Sequence, residues 1–344
     1  MEVSPKILVL RFSALGDVAM TIPVLWSLKA RYPGAEIMFV SQPFAGDLIK
    51  PIEGVTFYGA NFKKNYKGIL GIIKLFLALR KFGPFSFIAD LHGVLRSGII
   101  TSLFRIIGVK AITINKGRKD KRGLTRKTKK IFKPLETTFE RYRKVFETGG
   151  YPFKLIPFPG KSIYAVGSSK PAHKALTLQG KKIGIAPFAK HKWKMWPEER
   201  MRSLIELLAK REMQIFLFGG KGKEQHQLNT WASDLDNVHN LAGSLSLGEE
   251  LKIIAQLDIM VSMDSANMHL ASLVETPVIS IWGATHSFAG FYGWNQPLEN
   301  AVQVDLSCRP CSVYGNKDCH RGDFACMTLI SDKMVLAAID KALK

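Results

Sequence analysis

The strongest constraint on this chain is a rhythm. Apolar runs of strand length alternate with longer stretches whose apolar residues recur at helical spacing, and the alternation runs twice. "KILVLRF" opens it at Lys6, and "DVAMTIPVLWSLKARY" follows, with Val18, Ile22, Leu25 and Leu28 on one helical face. Pro23 falls inside that helix, so a kink or a late start is expected. "AEIMFVS", "FSFIADLHG" and "AITINK" supply further strands, with the helix "VLRSGIITSLFRIIG" between the last two. Near-continuous apolar strands alternating with helices are buried on both faces, which predicts an α/β fold on a mainly parallel sheet.

"ERYRKVFETGGYPF" predicts a helix stopped by Gly149 and Gly150. "LIPFPGKSIYAVGSSKPAHKAL" then shows no periodicity, and the domain boundary falls there. The rhythm restarts with strands at "KKIGIAPFA", "MQIFLFGG", "DIMVSMD" and "TPVISIWGA", separated by helices such as "PEERMRSLIELLAKR" and "SANMHLASLVE". The expected organisation is two doubly wound, Rossmann-like domains facing a central cleft: residues 1–160, a linker over 161–180, residues 181–330, and a closing helix over 331–344. Such sheets bind ligands at the carboxyl ends of their strands.

Charge narrows the partners. The formal net charge is +21, which favours an anionic one. Between 116 and 133 the chain reads "KGRKDKRGLTRKTKKIFK", with Asp120 as its single acid, so this segment is a surface loop or a helix with one solvated face. No aromatic-basic recognition module accompanies it, and no nucleic-acid partner is expected. The longest apolar stretch, residues 68–82, is interrupted by Lys74 and Arg80 and is too short to span a bilayer. With no secretory signal in the opening residues, a cytoplasmic location is expected.

Three loops carry polar groups to strand ends. In "RFSALGDVAM" Asp17 closes the first strand-to-helix turn, where it either caps the helix or faces a substrate. "APFAKHKWKMWPEE" crowds Lys190, Lys192 and Lys194 ahead of a helix, which suits a diphosphate or a solvated basic loop with Trp196 packed beneath. "SMDSANMHLAS" ends a strand and starts a helix with small residues: either its N–H groups are accessible to an anion, or Asp264 or Ser265 caps the helix and His269 is a core residue. "WGATHS" follows the next strand at the same end. Neither "SALGD" nor "GGKGKE" has nicotinamide or P-loop spacing.

Taken in order, "ILVLRFSALGDVAMTIPVL", "KMWP" and "DSANMHLASLVETPVISIWGAT" resemble glycosyltransferase family 9, the bacterial lipopolysaccharide heptosyltransferases. The family pattern is matched by Gly16-Asp17, by Thr21-Ile22-Pro23, by Lys194-Met195-Trp196-Pro197 and by Asp264-Ser265 with His269. The resemblance implies a two-domain GT-B fold that transfers heptose from ADP-heptose to the lipopolysaccharide inner core, with inversion and with no metal or other cofactor. It implies donor contacts from Lys194, Glu224, Leu245, Asp264, Ser265, Ala266 and His269, with Glu224 on the ribose and Leu245 near the adenine. It makes Asp17 the base and the closing helix a crossing back to the first domain. Two departures bear on the diphosphate: Ala189 and Lys190 stand where some relatives carry hydroxyls, and "GATHS" replaces a Gly-Pro-Thr.

The implied acceptor is an anionic glycolipid at the inner-membrane surface, and the expected location is cytoplasmic, peripheral at that membrane. Ser13, Lys63, Lys64, Arg96, Arg118 and Arg122 are the expected acceptor contacts, all assigned to the N-terminal half. A basic patch beside the apolar 69–79 stretch suits a peripheral contact; that stretch also reads as a helix buried against the sheet. Other readings stay open: a GT-B transferase with another nucleotide sugar or acceptor, or a non-catalytic basic protein that binds membrane or nucleic acid. Cys308, Cys311, Cys319 and Cys326 could hold zinc, but reduced or partly paired thiols are favoured.

Overall fold

The computed structural model describes residues 4–165 and 173–344, so part of the expected linker, 166–172, lies outside the described residues. The chain divides into two compact units: residues 1–117 with 136–158, and residues 118–135 with 159–344.

The first unit is a five-stranded parallel sheet. Its strands are β1 (Lys6–Leu10), β2 (Glu36–Ser41), β3 (Val55–Gly59), β4 (Phe87–Asp90) and β5 (Lys110–Thr113), in the order β3-β2-β1-β4-β5. The helix expected after β1 is two: α1 (Leu15–Ala19) and α2 (Ile22–Arg31). Pro23 in the first turn of α2 explains the late start, because its missing N–H is no loss there. Next come α3 (Gly46–Ile49), α4 (Gly68–Arg80) and α5 (Leu95–Ile106). Inward residues of α4 and α5, including Leu75, Phe76, Ile100 and Phe104, share a core with Leu8, Leu10 and Ile88 of the sheet.

After β5 the chain makes α6 (Arg118–Leu124), which belongs to the second unit, and returns to the first as α7 (Thr138–Gly149). The Thr137 hydroxyl caps α7 by accepting the Glu140 N–H at 3.2 Å, and Gly150 ends it in the left-handed region at φ 105°. Gly149 has its own constraint: a Cβ there would lie 2.4 Å from the Phe87 ring, so only glycine lets α7 approach β4 this closely.

The second unit starts with α8 (Gly160–Ala165). Its six-stranded parallel sheet has β6 (Lys182–Ala186), β7 (Gln214–Leu217), β8 (Val238–Asn240), β9 (Ile259–Met263), β10 (Val278–Ile281) and β11 (Ala301–Val302), in the order β11-β10-β9-β6-β7-β8. The helices between these strands are α9 (Glu198–Ala209), α10 (Lys223–Ala232), α11 (Leu247–Ile254) and α12 (Ala266–Leu273); α13 (Ala325–Thr328) and α14 (Asp332–Ala342) close the chain.

Two expectations change. The closing helix α14 packs on α9, β10 and β11 of its own unit, where Asp340 pairs with Arg211 at 2.7 Å and Asp332 accepts from Ser203 at 3.0 Å. The basic segment expected within the first domain is likewise built into the second unit. Lys130 Nζ donates to the carbonyls of Ser307, Arg309 and Pro310 at 3.0, 2.6 and 3.2 Å. Phe132 meets the rings of His286 and Phe288, each at 5.1 Å, and the Leu135 N–H donates to Phe288 O at 2.9 Å. Lys121 is buried over the Phe291 ring. Charge dominates this segment's sequence; its anchors are an aromatic ring and carbonyls supplied far down the chain.

Candidate active site

In both sheets the strand order reverses beside the first strand, between β1 and β4 in one and between β6 and β9 in the other. A reversal sends the two following loops apart and opens a crevice at the carboxyl ends of the strands. The polar loops singled out in the sequence sit at these two places.

In the second unit, Lys194 follows β6 and Asp264 follows β9, and the register sets Ala186 beside Ser262. The two side chains meet across the crevice at 2.8 Å, both largely buried. Asp264 also accepts from the Thr285 hydroxyl at 2.8 Å, so the "GATHS" loop after β10 orients the carboxylate. The aliphatic stem of Lys194 lies against Gly315, where a Cβ would come within 2.3 Å of Lys194 Cγ. Trp196 packs beneath as expected, with its indole N–H on Ile330 O at 3.1 Å.

The first turn of α12 begins directly after this pair. Ser265 is its N-cap residue, and its hydroxyl pairs with that of Ser262 at 3.2 Å rather than capping the helix, so the leading N–H groups have no side-chain cap. Ser265 and Ala266 are half-exposed, whereas His269 is buried one turn in. An ammonium beside an uncapped helix start is a ready anion site.

Glu224 forms a second cluster, at the end of β7. Its carboxylate accepts the Gly220 N–H at 2.6 Å, and a Cβ on Gly219 would touch both Glu224 and Ala242. The glycine pair thereby lets the Glu224 loop and the loop carrying Leu245 approach each other. Leu245 is half-buried there, ahead of α11.

In the first unit, Asp17 is the third residue of α1, not its cap. It accepts the Ala14 N–H at 3.2 Å and pairs with Arg11 Nη2 at 2.5 Å. Arg11 is buried, donates to Leu91 O at 2.8 Å, and so ties the loop after β1 to the loop after β4. Asp17 itself stays about one-third exposed, with a side-chain accessibility of 32%. Across the crevice stands His92, a residue the sequence reading gives no role. Its Nδ1 accepts the Phe12 N–H at 3.4 Å, which assigns the proton of the neutral ring to Nε2. Burial, then Arg11 and Lys116, push its pKa down to about 3, so the ring stays neutral at physiological pH. A histidine just past a strand's terminal Asp90 is the signal that could have found it.

Arg96 lies over the Phe62 ring at 5.3 Å, and Phe62 packs on Phe12 at 4.6 Å. Ser13, Lys63, Lys64 and Arg96 thus gather at the Asp17 end of the first sheet. Arg118 and Arg122 are exposed on α6, in the second unit. Sequence reading also passes over Arg309, whose buried guanidinium donates to the carbonyls of Trp282, Gly283, Val304 and Thr285 and fixes the loop that holds Asp264. All four cysteines are free thiols; Cys326 is buried and the other three are half-exposed.

Two doubly wound units, each with a polar crevice at the carboxyl ends of its strands, have the GT-B architecture. The chain belongs to glycosyltransferase family 9 (heptosyltransferase), whose profile matches residues 72–320. It is 26% identical to lipopolysaccharide heptosyltransferase 1 of Campylobacter coli over 97% of this chain and 98% of that one. Among solved structures, a glycosyltransferase family 9 protein from Veillonella parvula superposes with a TM-score of 0.76 at 16% identity, over 100% of this chain and 98% of that chain. The Escherichia coli heptosyltransferase WaaC with ADP superposes at 0.69 and 18% identity, over 98% and 99%. These structures share the fold. Membership in the family removes the non-catalytic reading: the chain is a glycosyltransferase.

Proposed function

We propose that this enzyme transfers heptose from ADP-heptose to the inner core of lipopolysaccharide, with inversion and without a metal, as a cytoplasmic protein peripheral at the inner membrane. The observation that carries the reading is the Lys194–Asp264 pair at the start of α12. A leaving nucleoside diphosphate develops negative charge as the glycosidic bond breaks, and a fixed ammonium with helix N–H groups stabilises it where a metal otherwise would. Lys194, Ser265 and Ala266 take the diphosphate; Asp264 and His269 support that site; Glu224 takes the ribose and Leu245 the adenine. On the acceptor side Asp17 accepts the proton of the attacking hydroxyl, and His92 Nε2 donates to an acceptor oxygen. Ser13, Lys63, Lys64 and Arg96 face the anionic acceptor, while Arg118 and Arg122 add positive charge from the second unit. The names of the relatives, lipopolysaccharide heptosyltransferases, support heptose and lipopolysaccharide over other sugars and acceptors.

A nucleotide screen by thermal shift tests the donor assignment. At a hundredfold excess over its dissociation constant a ligand stabilises the fold by about 2.7 kcal/mol. ADP should raise the melting temperature where UDP and GDP do not, and Lys194→Met should abolish that rise. Equal shifts with all three nucleotides would sink the adenine assignment. Transfer unaffected by chelator, with product of inverted anomeric configuration, is the expected outcome of the activity assay.

A further inference from the structure

We propose that the outer face of α4, with the adjoining α5, is the surface that docks this chain on an anionic lipid bilayer. The proposal rests on the membrane-bound acceptor inferred above and assigns the contact to a surface other than the basic 118–135 segment. Helix α4 is apolar nearly all round. Its inner stripe, Ile72, Leu75, Phe76 and Leu79, is buried in the core. Its outer stripe is also apolar: Ile69 is 67% exposed, Leu70 82%, Ile73 38% and Leu77 50%. The neighbouring α5 leaves Ile106 80% exposed. A helix serving only the core would carry polar residues on that outer face. With 13 residues it is too short to span a bilayer, so it would lie along the interface.

Charge identifies the occupant. Lys63, Lys64 and Lys67 precede α4, Lys74 lies on its outer stripe, and Arg80 and Lys81 end it. From residue 60 to residue 117 the single acid is Asp90, and it is buried, accepting from Ser97 and from the N–H groups of His92 and Gly93. The exposed surface of this stretch therefore carries cations with no carboxylate. The lysine loop is also held in place: Asn61 Oδ1 accepts the N–H groups of Lys63 and Lys64 at 3.0 Å each, and Gly71 lets the Tyr66 backbone press against the helix. Apolar side chains flanked by cations fit phospholipid headgroups and the acyl boundary beneath them. A second copy fits poorly, because it would bring the same uncompensated cations face to face.

The test is flotation of the full chain with vesicles of phosphatidylethanolamine and phosphatidylglycerol, against vesicles of phosphatidylcholine alone. The parent should bind only the anionic vesicles. Leu70→Ser, Ile73→Ser and Leu77→Ser together should weaken binding by at least about tenfold. Lys63→Ser, Lys64→Ser and Lys67→Ser together should weaken it and flatten its salt dependence. Arg118→Ser with Arg122→Ser should leave it unchanged. Acylation of the unaltered chain gives a reading that needs no variant: Lys67 and Lys74 should lose reactivity when anionic vesicles are present, while Lys210 does not. Parent-like flotation of the triple serine variant, undiminished labelling of Lys67 and Lys74, or a parent dimer that this variant converts to monomer would each overturn the proposal. Transfer to a deacylated, water-soluble acceptor should be unchanged in the triple serine variant, so loss of docking is distinguishable from loss of catalysis.

Discussion

At the scale of single residues, Asp17 is held by a cation that has little access to water. Asp17→Asn keeps the hydrogen bond from Ala14 but removes the charge facing Arg11. Transfer should fall roughly a hundred- to ten-thousandfold if the carboxylate is the base. Donor affinity should hold, because the donor groups belong to the other unit. The ion pair adds an effect that helix capping alone would not: the variant should melt a few degrees lower, since Arg11 stays buried with a weaker partner. Transfer rate, ADP affinity and melting temperature measured together separate these effects, and parent-like transfer by a folded variant would leave the base unassigned. Glu250 on α11 gives a prediction in pH. Burial raises its pKa from the ordinary 4.5 to about 7. As pH rises between these values the unfolded chain releases this proton first, so its contribution to stability falls across that window. Glu250→Gln should flatten that part of the melting-temperature profile and melt higher than the parent in alkaline buffer.

At the scale of elements, the basic segment shows what pattern reading catches and what it misses. Lys130→Met keeps the aliphatic stem and deletes the donor to three carbonyls. Limited trypsin digestion should then cut between Arg126 and Lys133 faster than in the parent, while α14 stays resistant; equal digestion would show that the segment is anchored without Lys130. The strands β1, β2, β4, β6, β7, β9 and β10 were legible because each is a run of apolar residues buried on both faces, a pattern solvent exposure does not interrupt. The strands β3, β8 and β11 were not. β3 mixes an exposed Thr56 with Phe57 and Tyr58 at half-exposed positions, and β8 and β11 are edge strands of three and two residues. Asp17, Lys194 and Asp264 drew attention because each lies where a strand gives way to a helix: Asp17 in the first turn of α1, Lys194 ahead of α9 and Asp264 ahead of α12. Strand order was not, so nothing in the sequence showed that Lys194 and Asp264 flank one crevice, or that Arg11 and His92 flank the other. Arg309 was invisible for a related reason: apart from the Gln303 side chain its partners are backbone carbonyls, which every residue has.

At the scale of the whole molecule, the first unit is discontinuous. The chain leaves it at Gly117, builds α6 and its neighbours into the second unit, and returns at Glu136. A cut near the sequence boundary therefore does not yield a complete second unit. The fragment 159–344 lacks Lys130 and Phe132, and should melt lower and bind more of a hydrophobic dye than the same fragment carrying residues 118–135 on a flexible leader. Indistinguishable melting of the two fragments would make the segment a passenger. The excursion also has a consequence in time. Phe132 emerges from the ribosome long before Phe288 and Pro310, the residues it and its neighbours are held by. At synthesis rates of about 5–20 residues per second that interval is roughly ten to thirty seconds. Throughout it, a stretch of lysines, arginines and an uncovered aromatic waits beside a half-made protein. Chaperones that bind transiently exposed apolar surface, and proteases that cut after lysine, have their opening on this chain then, before the finished fold closes it.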